Sequence, residues 1–387
     1  LKVTLIAYKY PPFVGGGETH LQNLAEGLVS RGCEVTVLTS KPEHDMDTSS
    51  YRSGGVVVKY LDGFLESCED FANKKIVPEL FKALQEECDI IHVFNYVPAI
   101  LISLIRETIK SKLCVSLFET RILGERVFDL WGDYELENTI QKTLYNNISA
   151  DLMIAGSEAY KIWATDANFP SNLIKVIPFG TDIQKFKKDD LIRKTCRLTR
   201  GIKDEFVFFV PARLVPRKKI EDVIVATGLI VKQNPNVKIM LTKPERTSNT
   251  DYIDYINRLI SKNNLQNNII WEENVRWNEM PELYSIADAV VLPSVNEGFG
   301  IALIEAMAAE KPVITTNIEG HDEIICHEVT GLLYPSGGIT ELKNCMVELL
   351  EGNYLNLVKN GFEKVLREYD SEQMIEKHYY AYKELLS

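Results

Sequence analysis

Two short stretches hold the residue types best suited to chemistry. In PSVNEGFGIALIEAMAAE, Glu297 and Glu305 flank a turn that carries Gly298 and Gly300. The glycines let the backbone come close to a ligand, and the amides from about Phe299 to Ala302 open a helix where they can hold sugar hydroxyls or phosphate oxygens. Glu305 falls inside that helix between IALI and AMAA, so its carboxylate is expected to be semi-buried, and a buried charge needs partners. The two vicinal hydroxyls of a ribose would serve both oxygens; an exposed helix position is the plainer alternative. Glu297 precedes the helix, where it can aim at a bound sugar or merely complement the helix dipole.

The second stretch, RLVPRKK, places Arg213, Arg217, Lys218 and Lys219 within seven residues, just where a helix is expected to begin. A helix N-terminus carries about half a positive charge, so cations there are disfavoured unless an anion lies between them and the amides. A diphosphate would resolve the conflict, although a solvated basic loop would account for any one of the four. A third loop, KYPPFVGGGETH, has Gly15, Gly16 and Gly17 just before a helix, which suits phosphate approach or a tight turn. It is not the dinucleotide fingerprint: Gly-x-Gly-x-x-Gly is absent, and the next strand ends VTVLTSK without the acidic residue that would bind a nicotinamide ribose.

The elements that position these loops alternate in a regular way. Val3 to Ala7, VTVLT, DIIHVF, LCVSLF and DLMIAGS read as strands, with helices over LQNLAEGLVSRG, ILISLIRETIKS and a long segment ending at Asn147. After FPSNLIKVIPFGTD the pattern restarts: FVFFVPA, VKIMLT, ADAVVLPS and PVITTN read as strands separated by helices, and SEQMIEKHYYAYKELLS as a closing helix. Two doubly wound parallel sheets follow, with ligands expected at the carboxyl ends of the strands. The expected domains are 1–175, 176–368, and a C-terminal helix 369–387 that packs back on a domain surface.

Composition narrows the function classes. At 387 residues the chain exceeds one ordinary core, and 45% hydrophobic with 25% charged residues is typical of a globular protein. A net charge of -12 argues against a nucleic-acid partner. The opening LKVTLIAY is too short to span a membrane and reads as a buried strand. Seven cysteines without metal-ligand spacing suggest reduced thiols in the cytoplasm, and the only Asp-x-Asp, Asp45 to Asp47, lies in a polar stretch, so no metal is expected.

PPFVGGGETH, VIPFGTD, RLVPRKK, EGFGIALIE and HDEIICHEVTGLLYP occur in the order found in the retaining family 4 glycosyltransferases of the GT-B fold, which the chain resembles over nearly its whole length. The resemblance implies two Rossmann-like domains facing a central cleft, the first on the acceptor side and the second on the donor side, with the C-terminal helix crossing back to the N-terminal domain, and transfer of a hexose from a UDP-, GDP- or ADP-sugar to a small-molecule, glycan or lipid-linked acceptor, in the cytoplasm or at a membrane surface. It implies that Gly15 and Gly16 approach the donor phosphates and that Arg213 and Lys218 hold the diphosphate. Glu297 would face the donor sugar, Gly298, Phe299, Gly300 and Ile301 would line it, Glu305 would bind the ribose, and Val275 and Arg276 would border the base. Catalysis would rest on Glu297, Arg213 and Lys218, without a cofactor.

Three departures bear on this. Phe118 stands where the family often has His, leaving Glu119 as a candidate sugar or acceptor contact. Lys219 and Phe179 replace a common Gly and Asn, and LTKPERTS replaces a Gly-rich turn. Hydrolysis or epimerisation of a nucleotide-sugar, and non-catalytic binding of nucleotide or glycan, remain as rival functions on the same scaffold.

Overall fold

The structure, a computed structural model, describes residues 1–13, 15–42, 54–61, 64, 76–116, 143, 146–243, 250–352 and 354–387. Asp45, Asp47, Phe118, Glu119, most of the segment leading to Asn147 and part of LTKPERTS lie outside the described residues. The chain divides into two units, Leu1–Gly180 with Ser371–Ser387, and Thr181–Asp370.

In the first unit, strands β1 (Lys2–Ile6), β2 (Glu34–Ser40), β3 (Val57–Leu61), β4 (Ile90–Val93), β5 (Lys112–Val115), β6 (Leu152–Ala155) and β7 (Ile174–Val176) form one sheet in the order β3-β2-β1-β4-β5-β6-β7. Every neighbouring pair is parallel. The inner strands β1, β4, β5 and β6 are mostly apolar and buried because both faces are covered, whereas the edge strand β3 is partly exposed. Val3 and Leu5 pack on one side with Leu21, Leu24 and Leu28 of α1 (Gly16–Ser30), and Ile6 packs on the other with Ile91, Val93 and Ile102. The helices α2 (Ile76–Ala83), α3 (Tyr96–Leu104) and α4 (Glu158–Asp166) complete the alternation, and the C-terminal helix Ser371–Leu386 adds Met374, Ile375 and Tyr382 to the face that α1 covers.

Two boundaries differ from the sequence reading. Helix α1 starts at Gly16 rather than near Leu21, so two of the three glycines form its first turn, where Glu18 complements the dipole. The helix expected over ILISLIRETIKS begins earlier, at Tyr96, and gives way to a 3-10 turn at Arg106–Thr108. The Phe179 ring is packed in the core: it lies edge-on to His20 at 4.6 Å and occupies the space a Cβ on Gly156 would need, 2.4 Å away.

The second unit holds β8 (Phe206–Val210), β9 (Val237–Lys243), β10 (Ile269–Glu273), β11 (Ala289–Leu292), β12 (Val313–Thr316) and β13 (Leu332–Tyr334) in the order β10-β9-β8-β11-β12-β13, again parallel. Its helices are α5 (Asp190–Thr199), α6 (Ile220–Ile230), α7 (Thr250–Lys262), α8 (Met280–Ile286), α9 (Ile301–Ala308), α10 (His321–Ile324), α11 (Ile339–Leu350) and α12 (Leu355–Glu368). In each unit the order reverses at one place, between β1 and β4 and between β8 and β11. In open parallel sheets ligands bind at the carboxyl ends of the strands beside such a reversal, so the topology singles out the loops after β1, β8 and β11. Among the described residues no helix is long and apolar enough to cross a membrane, and the six described cysteines are all free thiols.

Three buried histidines cluster in the first unit: His20 on α1, His92 on β4 and His378 on the C-terminal helix, with the His378 ring 6.0 Å from each of the others. The tautomer of His92 follows from its partners. Ser116 donates its hydroxyl proton to the Ile154 carbonyl at 2.8 Å, so it accepts from Nε2–H at 2.9 Å, and Nδ1 accepts from the Tyr382 hydroxyl at 2.6 Å. Burial holds all three imidazoles neutral, His378 down to about 4. An unfolded chain takes up protons near pH 6.5 that these side chains refuse until a lower pH, so stability is lost as the pH falls through that window. From pH 7 to pH 5, His378 alone should cost the unit about 2 kcal/mol. Hydrogen exchange in peptides from α1, β4 and the C-terminal helix measures this; undiminished protection at pH 5 would contradict it.

Candidate active site

The loop after β8 and the loop after β11 leave adjacent strands at the order reversal of the second unit. The first passes through a 3-10 turn at Pro216–Lys218 and enters α6 by way of Lys219, whose backbone is left-handed with φ 48°. Such a conformation favours Gly, the residue common there in the family, so Lys219 carries a local conformational cost. Its ammonium lies 3.2 Å from Glu221 in the first turn of α6.

The two loops are clamped together around one carboxylate. Lys218 Nζ is ion-paired with Glu297 Oε1. Arg217 Nη1 lies 3.1 Å from the same oxygen and donates to the Asn296 carbonyl at 3.2 Å, while the Arg217 carbonyl accepts from the Val295 amide at 3.0 Å. Ser294 donates its hydroxyl to Glu297 Oε1 at 3.0 Å. The side chains of Lys218 and Glu297 are each 13% exposed and that of Arg217 22%, so this pairing takes place largely out of water. Burial alone would raise the Glu297 carboxyl; Lys218 and Arg217 outweigh it and hold the group ionised, well below the usual carboxylate range. Burial also lowers the Lys218 ammonium, with Glu297 opposing that shift and the nearby charges of Arg217 and Arg213 adding to it. The anion demanded by the basic loop is thus supplied from within the chain, 79 positions away, where the sequence suggested an external diphosphate.

A third loop supports this arrangement from below. Gly320, at φ 85°, follows β12 and packs directly on the Glu297–Gly298 backbone: a Cβ there would lie 2.9 Å from the Glu297 carbonyl oxygen. The next residue, His321, is buried with Nδ1 2.8 Å from the Thr315 hydroxyl and 3.4 Å from that of Thr316. Those hydroxyls donate to the carbonyls of Leu292 and Ser294, so both accept from His321, and Nδ1 carries the proton. Burial brings this imidazole down to about 4, with Glu297 pulling the other way, so it stands neutral behind the carboxylate.

Glu305 occupies the second turn of α9 and is 2% exposed, which removes the exposed-helix alternative. Its Oε2 accepts from the Tyr284 hydroxyl of α8 at 2.8 Å. Tyr284 is itself fully buried, its ring edge-on to Phe186 and Phe209. Burial without a contacting cation pushes the Glu305 carboxyl up to about 8, against the smaller pull of Tyr284 and Lys185.

The other sequence candidates fall as follows. Gly298, Phe299, Gly300 and Ile301 form the turn into α9, with Gly300 in the left-handed region at φ 104°. Arg213 is exposed on the basic loop. Val275 and Arg276 follow the edge strand β10 after a left-handed Asn274, and the Arg276 amide donates to Glu279 at 2.7 Å. Gly15 and Gly16 lie at the carboxyl end of β1 in the first unit. The sequence placed Arg217 in the basic loop but not on Glu297, and assigned no role to Ser294 or His321, although both lie in motifs it singled out, nor to Tyr284, which stands in none.

Comparison with known proteins agrees with this architecture. A family model described as Glycosyltransferase Family 4 matches residues 14–185, and one described as Glycosyl transferases group 1 matches residues 197–364. An uncharacterized glycosyltransferase of Methanocaldococcus jannaschii is 27% identical over 346 residues, covering 87% of this chain and 85% of the relative. The N-acetyl-alpha-D-glucosaminyl L-malate synthase of Bacillus anthracis is 25% identical over 397 residues, covering 100% of this chain and 97% of the relative. Among solved structures, sucrose-phosphate synthase from Thermosynechococcus elongatus superposes with a TM-score of 0.84 at 22% identity, covering 99% of this chain and 98% of that one. Anabaena HepE in complex with UDP gives 0.81 at 22% identity, covering 99% and 100%. With one model matching most of the first unit, the other most of the second, and the same pair of parallel sheets in the solved structures, the chain belongs to the family 4 glycosyltransferases of GT-B architecture.

Proposed function

We propose that this glycosyltransferase moves a hexose from a nucleoside-diphosphate-sugar to an acceptor hydroxyl with retention of the anomeric configuration, and that it does so without a metal. The observation that carries the reading is the cation cluster of Arg213, Arg217 and Lys218 at the strand-order reversal of the second unit, next to the N-terminus of α9. The difficult step is departure of the nucleoside diphosphate, with negative charge growing on a phosphate oxygen. Arg213, Lys218 and the amides opening α9 stabilise that charge in a partly dry site; removing one such donor costs about 100- to 1,000-fold in rate. The acceptor attacks from the face the leaving group occupies and passes its proton to the departing phosphate oxygen, so no protein base is required.

In this reading Glu305 accepts both ribose hydroxyls, Val275 and Arg276 border the base, Gly15 and Gly16 approach the phosphates, and Glu297 turns to the sugar. Glu119 is the candidate contact to sugar or acceptor. HepE, with the same fold, has been solved with UDP and with UDP-glucose, which supports a nucleotide-sugar donor.

The test is a screen of UDP-, GDP- and ADP-hexoses for nucleotide release, with and without acceptor alcohols, followed by NMR of the product's anomeric centre. An axial donor bond should give an axial product. An inverted product would remove the retaining mechanism, and release that ignores every acceptor would favour hydrolysis.

A further inference from the structure

We propose that Glu297 is an internal counter-anion for the diphosphate site: in the empty protein it occupies Lys218 and Arg217, and an arriving donor diphosphate displaces it from Lys218. The inference rests on the reading of Lys218 as a diphosphate ligand.

Arg217 and Lys218 sit on one turn at the start of α6, largely shielded from water, beside the positive end of a helix dipole. Two such cations without a counter-charge would repel each other and pay desolvation, so the loop needs an anion even when no substrate is bound. Glu297 meets that need with a single oxygen: Lys218, Arg217 and Ser294 all converge on Oε1. The position of the carboxylate is set by packing rather than by the cations alone. Its backbone is gripped by Arg217 through Asn296 and Val295 and rests on Gly320, while the neutral His321 ring stands behind it.

A diphosphate brings at least two negative charges to the same cations and therefore competes with Glu297 for Lys218. Part of the binding energy of the donor is spent on opening an ion pair, and a carboxylate released from Lys218 becomes available to the sugar on the same ligand. The arrangement couples occupation of the phosphate site to presentation of Glu297, and it makes the empty site a poorer anion binder than its cations alone would be.

This gives a consequence opposite to that of an ordinary binding residue. The probes are UDP, GDP and ADP, none of which carries the sugar that Glu297 would touch, measured by calorimetry on the full chain. Glu297→Gln should bind the nucleoside diphosphate preferred by the wild type at least about ten-fold more tightly, because the competing charge is gone. Affinity for the matching nucleoside without phosphates should be unchanged, and sugar transfer should fall. Glu297→Asp keeps the charge but withdraws it from Lys218, and should tighten diphosphate binding about three-fold; it decides the matter if the uncharged variant does not fold. Diphosphate affinity equal to or weaker than wild type in a folded variant overturns the counter-anion. If the wild type binds none of the three nucleotides, the donor-site reading itself fails and the inference falls with it; the two failures are therefore distinguishable.

Discussion

Replacing Arg213 and Lys218 together with alanine should lower sugar transfer by about 1,000-fold or more while both units remain folded. The rate effect follows from the proposed chemistry: in that reading the two cations would face the phosphate oxygen on which charge accumulates, and their contribution would be larger in the leaving transition state than in the bound donor. Survival of the fold follows from the ion-pair geometry. Without Lys218, Glu297 still has Arg217 at 3.1 Å and the Ser294 hydroxyl at 3.0 Å, so its buried charge is not abandoned. Circular dichroism and thermal unfolding check the fold, and kcat with a saturating donor checks the chemistry. A folded double variant that turns over at close to the wild-type rate places the diphosphate elsewhere.

Glu305→Ala should weaken nucleotide binding about 10- to 150-fold, the loss expected for charge-assisted hydrogen bonds to ribose worth about 1.5 to 3 kcal/mol. The environment of Glu305 adds a pH signature that the alanine result alone would lack. In the empty site burial holds the carboxyl as a neutral acid up to about pH 8, whereas accepting two hydroxyl protons requires the ionised form. Nucleotide binding should therefore release a proton below pH 8, and affinity should rise about ten-fold per pH unit toward 8 and level off above it. In Glu305→Gln the dependence should vanish along with most of the affinity. Calorimetry in buffers of different ionisation enthalpy reads the proton directly. A wild-type affinity that is flat from pH 6 to pH 9 would remove the ribose role from the ionised carboxylate.

The acid side has its own interplay within the second unit. His321, held down to about 4, loses stability as the pH falls below 6.5, while Glu305, raised to about 8, gains it over part of the same range because the folded form keeps a proton the unfolded chain releases. The two effects oppose each other, so the acid sensitivity expected of the first unit, where three buried histidines act in the same direction, should stand out against a flatter response in the second.

Much of this was legible in the amino-acid order. Strands such as FVFFV and AVVL announce themselves because a parallel sheet covered on both faces needs unbroken apolar runs, and the loops between them are short enough to locate. The burial of Glu305 could be read from IALI and AMAA around it, since a helix without a polar face has no exposed side on which to place a charge. The family motifs added the fold and the coarse activity. Helix starts were less legible: α1 opens on glycines that a local reading assigns to the preceding loop.

The loop of Glu297 and Glu305 was recognisable from the start as a pair of carboxylates at a glycine-bearing turn, and local patterning alone was enough to separate a buried helix position from a loop position. Only the tertiary structure decided what each carboxylate touches. Glu297 meets Lys218 and Arg217 because β8 and β11, far apart in the chain, are neighbours in the sheet, and Glu305 meets Tyr284 because α8 packs beside α9. Strand order and helix packing are properties of the whole core, which no short stretch of residues specifies by itself. For that reason the sequence could name the charges of this site but not say that one of them already neutralises the others.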